Sequence, residues 1–328
     1  MKKKLVIVLL ILCLALTACR SDSGIFGKET EPQRESTVSP LLYRVTDQQG
    51  NALWLFGSIH VGTEDYYPLP DYVLNAFDGS DALAVEVDIM AVEWDFLGQA
   101  QLLQLLMYTD GTTISDHLPP ETYDRAVAIL QENETYSEAL DYYMPAFWWS
   151  TVESLSYAKM GAQASLGVDR HLLKRARNDG KPVREVESAQ LQYSLMAEFS
   201  PQLQQLLLEQ SIYTYDHLDE AAEDIRYMME LWSAGDEAAF AAYLAEEGEI
   251  TDPQEQLLYD EYNTALITNR NQTMTEYAED ALARTEEAVQ AALDEVKQSR
   301  VRFRSASAAK IQEQREMLDS KNREESDE

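Results

Sequence analysis

From residue 41 the chain opens with alternating apolar and polar positions and then changes period. "LLYRV" and "ALWLF" flank "TDQQGN", whose Asp, Gly and Asn supply turn chemistry, so residues 41–60 predict a β-hairpin. The second strand ends abruptly in Gly57-Ser58-Ile59-His60. A loop with two prolines, "VGTEDYYPLP", leads to a short helix, "DYVLNAF", and a further strand, "DALAVEVDI". The stretch from 61 to 81 has about the length of a right-handed βαβ crossover, which predicts that the strands at 52–59 and 82–87 are parallel neighbours. His60 then sits at one carboxyl end, and Glu86 and Asp88 share one face at the other. Ligands bind along that edge in open α/β sheets. Gly57 and Gly62 would let the backbone turn closely around the histidine.

Helical spacing takes over from about 90 to 167, in "MAVEWDFLGQAQLLQLLMY", "LPPETYDRAVAILQEN" and "YMPAFWWSTVESLSYAKMG". Tyr142, Tyr143, Phe147, Trp148 and Trp149 fall inside that periodic run and read as core. "GVDRHLLKRARNDGKPVREVES" then predicts a helix with Leu172, Leu173 and Ala176 on one face and Gly180 closing it. A strand over Pro182–Val186 follows and delivers Glu187 at its end. Asp169 reads as an acid at a helix N-terminus or as a site residue. Residues 190 to 300 are almost wholly helical, and "EQREMLDSKNREESDE" has no apolar face, which predicts disorder. The folded part thus runs over 41–300, with about 90–167 as a helical insertion and 301–328 as a degenerate tail.

The N-terminus changes the picture. Lys2, Lys3 and Lys4 precede "LVIVLLILCLAL", and the run ends in Leu16-Thr17-Ala18-Cys19. This looks like a bacterial lipobox: residues 1–18 form a signal peptide, and Cys19 becomes the acylated residue that tethers the chain to a lipid bilayer. Residues 19–40 read as a flexible tether. The expected location is the outer face of the bacterial cell membrane, or the periplasmic side of the outer membrane in a two-membrane cell. With Cys13 in the leader and Cys19 acylated, no cysteine remains for a disulfide, a thiolate metal site or a nucleophile.

Charge excludes one class of partner. The chain carries 26 Lys+Arg against 58 Asp+Glu, a formal net charge of −32, and loss of the three leader lysines makes it −35. Nucleic acid and anionic head groups would be repelled. The surface is either a solvated acidic one with no partner or one that attracts cationic peptides or divalent ions.

Seven stretches, in order, resemble the TraB/PrgY/GumN family, which is related to the Tiki metalloproteases. They are the GSIH segment at 57–60, "PLP" at 68–70, "AVEVD" at 84–88, "GVDRHLL" at 167–173, "GKPVREVES" at 180–188, "WSAGD" at 232–236 and "TNRNQTM" at 268–274. The resemblance implies an α/β fold of the mixed α+β kind, with a central mixed β-sheet, flanking helices and a large helical portion. It also implies a metal-dependent hydrolase site for peptides, built from two GxxH motifs and acidic residues. On that carry-over His60, Glu86 and Glu187 are metal ligands for Mn, Co or Zn. Glu86 doubles as general base, and Arg270 stabilises an anionic intermediate. An ion pair of Arg270 with Glu86 or Glu187 is the plainer reading of the same residues.

The departure from the family is as informative as the match. Where a second GxxH is expected the chain reads "DEVKQSRVRFRSASAAKIQEQREMLDS", and no histidine follows His217. The half-site has decayed, or the reading frame shifts near residue 297 and the true C-terminus is missing, or the resemblance there is accidental. Lys310 stands nearest the missing histidine and is a poor ligand while protonated. Two functions follow from this: a metal-dependent peptide hydrolase with impaired activity and a weakly held ion, or a non-catalytic protein that sequesters an extracellular peptide. His117 and His217 read as surface residues, and His171 as a helix residue.

Overall fold

The computed structural model describes residues 35–47, 51–245 and 252–283. The expected leader, Cys19, most of the expected tether, Lys310 and the expected tail at 301–328 lie outside the described residues. The chain falls into two compact units, one holding Trp54–Met274 with the segment up to Arg44, the other Val45–Leu53 with the chain from Thr275. Within the second, Asn51 bonds Asp47 through its backbone N–H and its side-chain amide, and the amide also donates to the Leu282 carbonyl.

The expected hairpin forms from β1 (Leu42–Thr46) and β2 (Ala52–Phe56). Helix α1 (Asp71–Asp78) follows, with Val73, Ala76 and Phe77 on its buried face. Strand β3 (Leu83–Val85) leads into two short helices, α2 (Ile89–Trp94) and α3 (Phe96–Gln104). Helices α4 (Pro120–Glu132) and α5 (Pro145–Lys159) both begin with proline at the first turn, where a missing N–H costs nothing. Helix α6 (Val168–Asp179) buries Leu172, Leu173 and Ala176 and closes at Gly180 in the left-handed conformation, φ 69°. Strand β4 (Val183–Glu185) is followed by α7 (Ala189–Glu198), α8 (Pro201–Asp216), α9 (Leu218–Ala234) and α10 (Glu237–Ala245). Helix α11 (Pro253–Asn263) runs through a π-helical turn, Thr264–Thr268, into α12 (Asn269–Ala283).

The mixed α+β class holds, with helix predominating, but the sheet is divided. Among the described residues β1 pairs with β2 and β3 with β4, two strands in each sheet. The predicted parallel pairing of the strand ending at His60 with the strand carrying Glu86 does not occur; β3 takes β4 as its parallel partner. The reason lies just beyond β2. There the backbone turns to the segment before α6: Val168 N–H donates to the Ile59 carbonyl (2.8 Å) and Gly62 N–H to the Gln163 carbonyl (3.2 Å). Those donors and acceptors are no longer available to β3. Gly62 permits the approach, because a Cβ there would strike the Leu166 carbonyl, whereas Gly57 faces open space.

Two hydrophobic clusters hold the larger unit. One is helical and centres on Trp148, Leu130, Ile129 and Leu208, with α5 packed along α8. Phe147, Trp148 and Trp149 belong to this core, while Tyr142 is 49% exposed. The other gathers Ile59, Val61, Leu69, Val73, Leu172 and Trp232 beneath the end of β2. No helix of the described residues is long and apolar enough to cross a membrane.

Candidate functional site

Strands β3 and β4 run parallel in the register Leu83↔Val183, Ala84↔Arg184, Val85↔Glu185. The ladder continues past both ends, with Val186 N–H on the Val85 carbonyl (2.8 Å) and Glu187 N–H on the Glu86 carbonyl (2.9 Å). Glu86 and Glu187 therefore lie side by side. Each strand is closed by a helix cap: Asp88 accepts from Ala91 N–H at the start of α2, and Ser188 from Leu191 N–H at the start of α7. Asp88 also pairs with Arg177 at 2.7 Å, which removes it from the site.

Arg270 reaches this edge from the first turn of α12. Its Nε donates to Glu187 Oε1 (2.8 Å), and its Nη2 to Glu187 Oε2 (2.8 Å) and Glu86 Oε2 (2.6 Å). Gln192, one turn into α7, donates to Glu187 Oε2 at 3.0 Å. The Arg270 side chain is 3% exposed, Glu187 0% and Glu86 32%, so the triad has a sealed inner end and an open outer one. Burial works against the Arg270 charge, but its bonds to Glu187 and the charge of Glu86 hold its pKa above the ordinary value. Arginine suits such a place because its fork meets a carboxylate with two bonds at once.

His60 has a different partner. Its Nδ1 lies 3.1 Å from Asp169 Oδ2, with the two side chains 23% and 12% exposed. Because a carboxylate can only accept, Nδ1 carries the proton and Nε2 is left as the acceptor of the neutral ring. Burial disfavours the charged ring, yet the hydrogen bond and charge of Asp169, with Glu86 beyond, outweigh both burial and Arg270 and raise the His60 pKa. The His60–Asp169 pair and the glutamate–arginine triad are thus electrostatic neighbours. Gly167 makes the pairing possible, since a Cβ there would meet the His60 carbonyl oxygen. Trp232 fixes the other side by donating its indole N–H to the Gly57 carbonyl at 2.7 Å.

Of the residues singled out in the sequence, Glu86, Glu187 and Arg270 come together, and His60 stands beside them on Asp169 rather than sharing an ion site with Glu187. Both Glu187 oxygens are engaged by Arg270 and Gln192. The accessible donors for a metal are His60 Nε2 and the remaining oxygen of Glu86; Asp169 Oδ1 has no hydrogen-bond partner among the described residues but is buried. Two donors fall short of the three protein ligands of a catalytic zinc centre, and the described residues contain no group of three His, Cys, Asp or Glu side chains that could hold an ion. The residues in view do not fit a closed metal centre.

The other histidines have local roles. His117 stacks on Tyr108 (4.3 Å), His217 on Tyr213 (4.0 Å) and His171 on Tyr67 (4.2 Å). Burial, then Arg175 and Lys174, push the His171 pKa down to about 4. Sequence reasoning missed Glu153, which sits in α5 amid the helical core at 8% exposure. Tyr157 and Trp149 donate to it, Oε1 has no partner among the described residues, and burial raises its pKa to about 8. Burial pushes the pKa of the nearby Tyr262 hydroxyl up, with ionisation of Glu153 raising it further and Arg270 lowering it. A single charged residue within the otherwise uncharged "FWWSTVESL" was the signal available.

Residues 41–292 match the TraB/PrgY/gumN family. Among curated proteins the chain is similar to the uncharacterized protein YbaP of Escherichia coli K12 and to that of Shigella flexneri. Each is 28% identical over 179 residues, which cover 54% of this chain and 62% of the relative. The match thus spans less than two thirds of those proteins. No solved structure matches.

Proposed function

The chain belongs to the TraB/PrgY/gumN family, and on that premise we propose that it is an exported, lipid-anchored protein that binds an extracellular peptide and turns it over slowly or not at all. The supporting observation is the commitment of Arg270. Its Nε and Nη2 are held by Glu187 and Glu86, its Nη1 is buried without a partner among the described residues, and at 3% exposure the side chain is closed off from an incoming oxyanion. The lipobox-like Leu16–Cys19 segment supports the anchor, and the partly exposed His60 and Glu86 offer polar contacts to a ligand. A divalent ion, if bound there, would be held weakly and mostly by water.

A second reading, metal-dependent peptide hydrolysis, draws on the His60–Asp169 pair, since a carboxylate on one ring nitrogen orients the other for metal or proton. That reading needs ligands from outside the described residues. Two measurements on the full anchored chain separate the readings. Calorimetric titration with manganese, cobalt and zinc should give weak binding that falls further in His60→Ala. A mixed peptide pool passed over the protein should yield retained peptides of unaltered mass. Tight His60-dependent metal binding with cleaved products would establish the hydrolase instead, and a pool that is neither retained nor cut would sink the peptide reading altogether.

A further inference from the structure

Helices α2 and α3 together carry apolar side chains without a fully buried residue in either. Their elbow, "EWDFL" at 93–97, leaves Trp94 77%, Phe96 67% and Leu97 80% exposed. Ordinary surfaces scatter such residues singly; three within four positions make a patch that marks an interaction site. The carboxylates beside them are locally compensated. Asp95 caps α3 by accepting from Gly98 N–H at 2.9 Å, and Glu93 is paired with Arg170. The elbow therefore presents an apolar tip with Glu93 paired to Arg170 and Asp95 exposed but held in place as the cap of α3.

We propose that this elbow docks into the surface of a zwitterionic lipid bilayer, with Trp94, Phe96 and Leu97 inserted at headgroup depth; the proposal rests on the lipid anchor at Cys19. Three arguments select this occupant. A fully extended tether from Cys19 to Glu35 spans at most about 55 Å, so the folded part is never far from the membrane. A second copy of the chain is a poor candidate, because three such side chains expose together about 400–500 Å², against about 800 Å² per partner in a stable dimer. Tryptophan flanked by Phe and Leu has the amphipathic character that settles at a membrane interface. Zwitterionic lipid is specified because a net charge of −35 after leader removal would be repelled by anionic head groups. Since α2 begins three residues after Glu86, docking there keeps the Glu86 edge close to the lipid surface.

The test uses the full acylated chain in phosphatidylcholine vesicles with and without brominated acyl chains, read by tryptophan fluorescence. Bromine should quench the signal by about the share of one tryptophan in five, and Trp94→Phe should abolish that fraction. Phe96→Ser with Leu97→Ser should reduce it while leaving the fold intact, as both side chains are exposed. Protein that floats with the vesicles but shows no bromine quenching of Trp94 overturns the docking and leaves the anchor standing. Protein that fails to float overturns the anchor and the docking with it. Doubling of the particle mass in detergent, lost in Trp94→Ser, with Trp94 unquenched by bromine, would assign the patch to a second copy and also overturn the proposal.

Discussion

Replacing Glu153 by glutamine removes a proton from the core without changing its shape. The native carboxyl is held neutral by burial, with a pKa of about 8 against an ordinary 4.5. A folded-state pKa above the unfolded one means that the folded chain binds the proton more tightly. The resulting stabilisation is complete below pH 4.5 and is lost as the pH climbs through 8. Between those limits each pH unit removes about 1.4 kcal/mol. The loss reaches about 3 kcal/mol at pH 7 and about 5 kcal/mol above pH 8, ceilings that water entry around an ionised Glu153 would lower. Glu153→Gln cannot ionise, so its stability relative to wild type should rise steadily from pH 5 to pH 8. Near pH 5 the change should cost no more than about 0.5–1.5 kcal/mol, the worth of an altered hydrogen bond from Tyr157 or Trp149. Urea denaturation followed by tryptophan fluorescence at four pH values gives the difference directly, and the pH dependence of all other groups cancels in it. A difference that stays flat with pH would mean that Glu153 is ionised in the native core and that the burial argument is wrong.

Other outcomes follow from the site. Asp169→Asn removes the hydrogen bond and charge that raise the His60 pKa, so the ring's NMR titration midpoint should fall. The stability that His60 contributes below pH 6.5, and loses as the pH rises through its folded pKa, should vanish with it. Glu187→Gln leaves Arg270 buried with one charged partner and should cost about 3–5 kcal/mol in denaturant unfolding; a loss below 1 kcal/mol would show the triad to be dispensable. Gly167→Ala forces the His60 carbonyl to move and should cost about 1–3 kcal/mol, visible as a lower thermal midpoint. Because Cys13 and Cys19 are the two cysteines of the sequence and both precede the described residues, reductant should leave that midpoint unchanged.

Local chemistry was legible wherever short-range rules decide structure. The hairpin around "TDQQGN", the left-handed Gly180 after α6 and the buried aromatic run in α5 all depend on neighbours within one turn or one strand, and the sequence contains those neighbours. Strand ends delivering Glu86 and Glu187 were legible for the same reason. Pairing was not. Whether the strand before Glu86 meets β2 or β4 depends on which backbone first takes the hydrogen bonds beyond Ile59, and that partner arrives from the segment at 163–168, about a hundred residues away. The same long-range contact gave His60 to Asp169, which the sequence left open between an acid at a helix start and a site residue. Arg270 could be named from its motif, but its engagement with two carboxylates through Nε and Nη2, its Nη1 without a partner among the described residues and the neutral state of Glu153 are properties of burial. A sequence specifies which groups can ionise and bond; only the folded chain fixes how much water each one keeps, and that decides its charge and its partners.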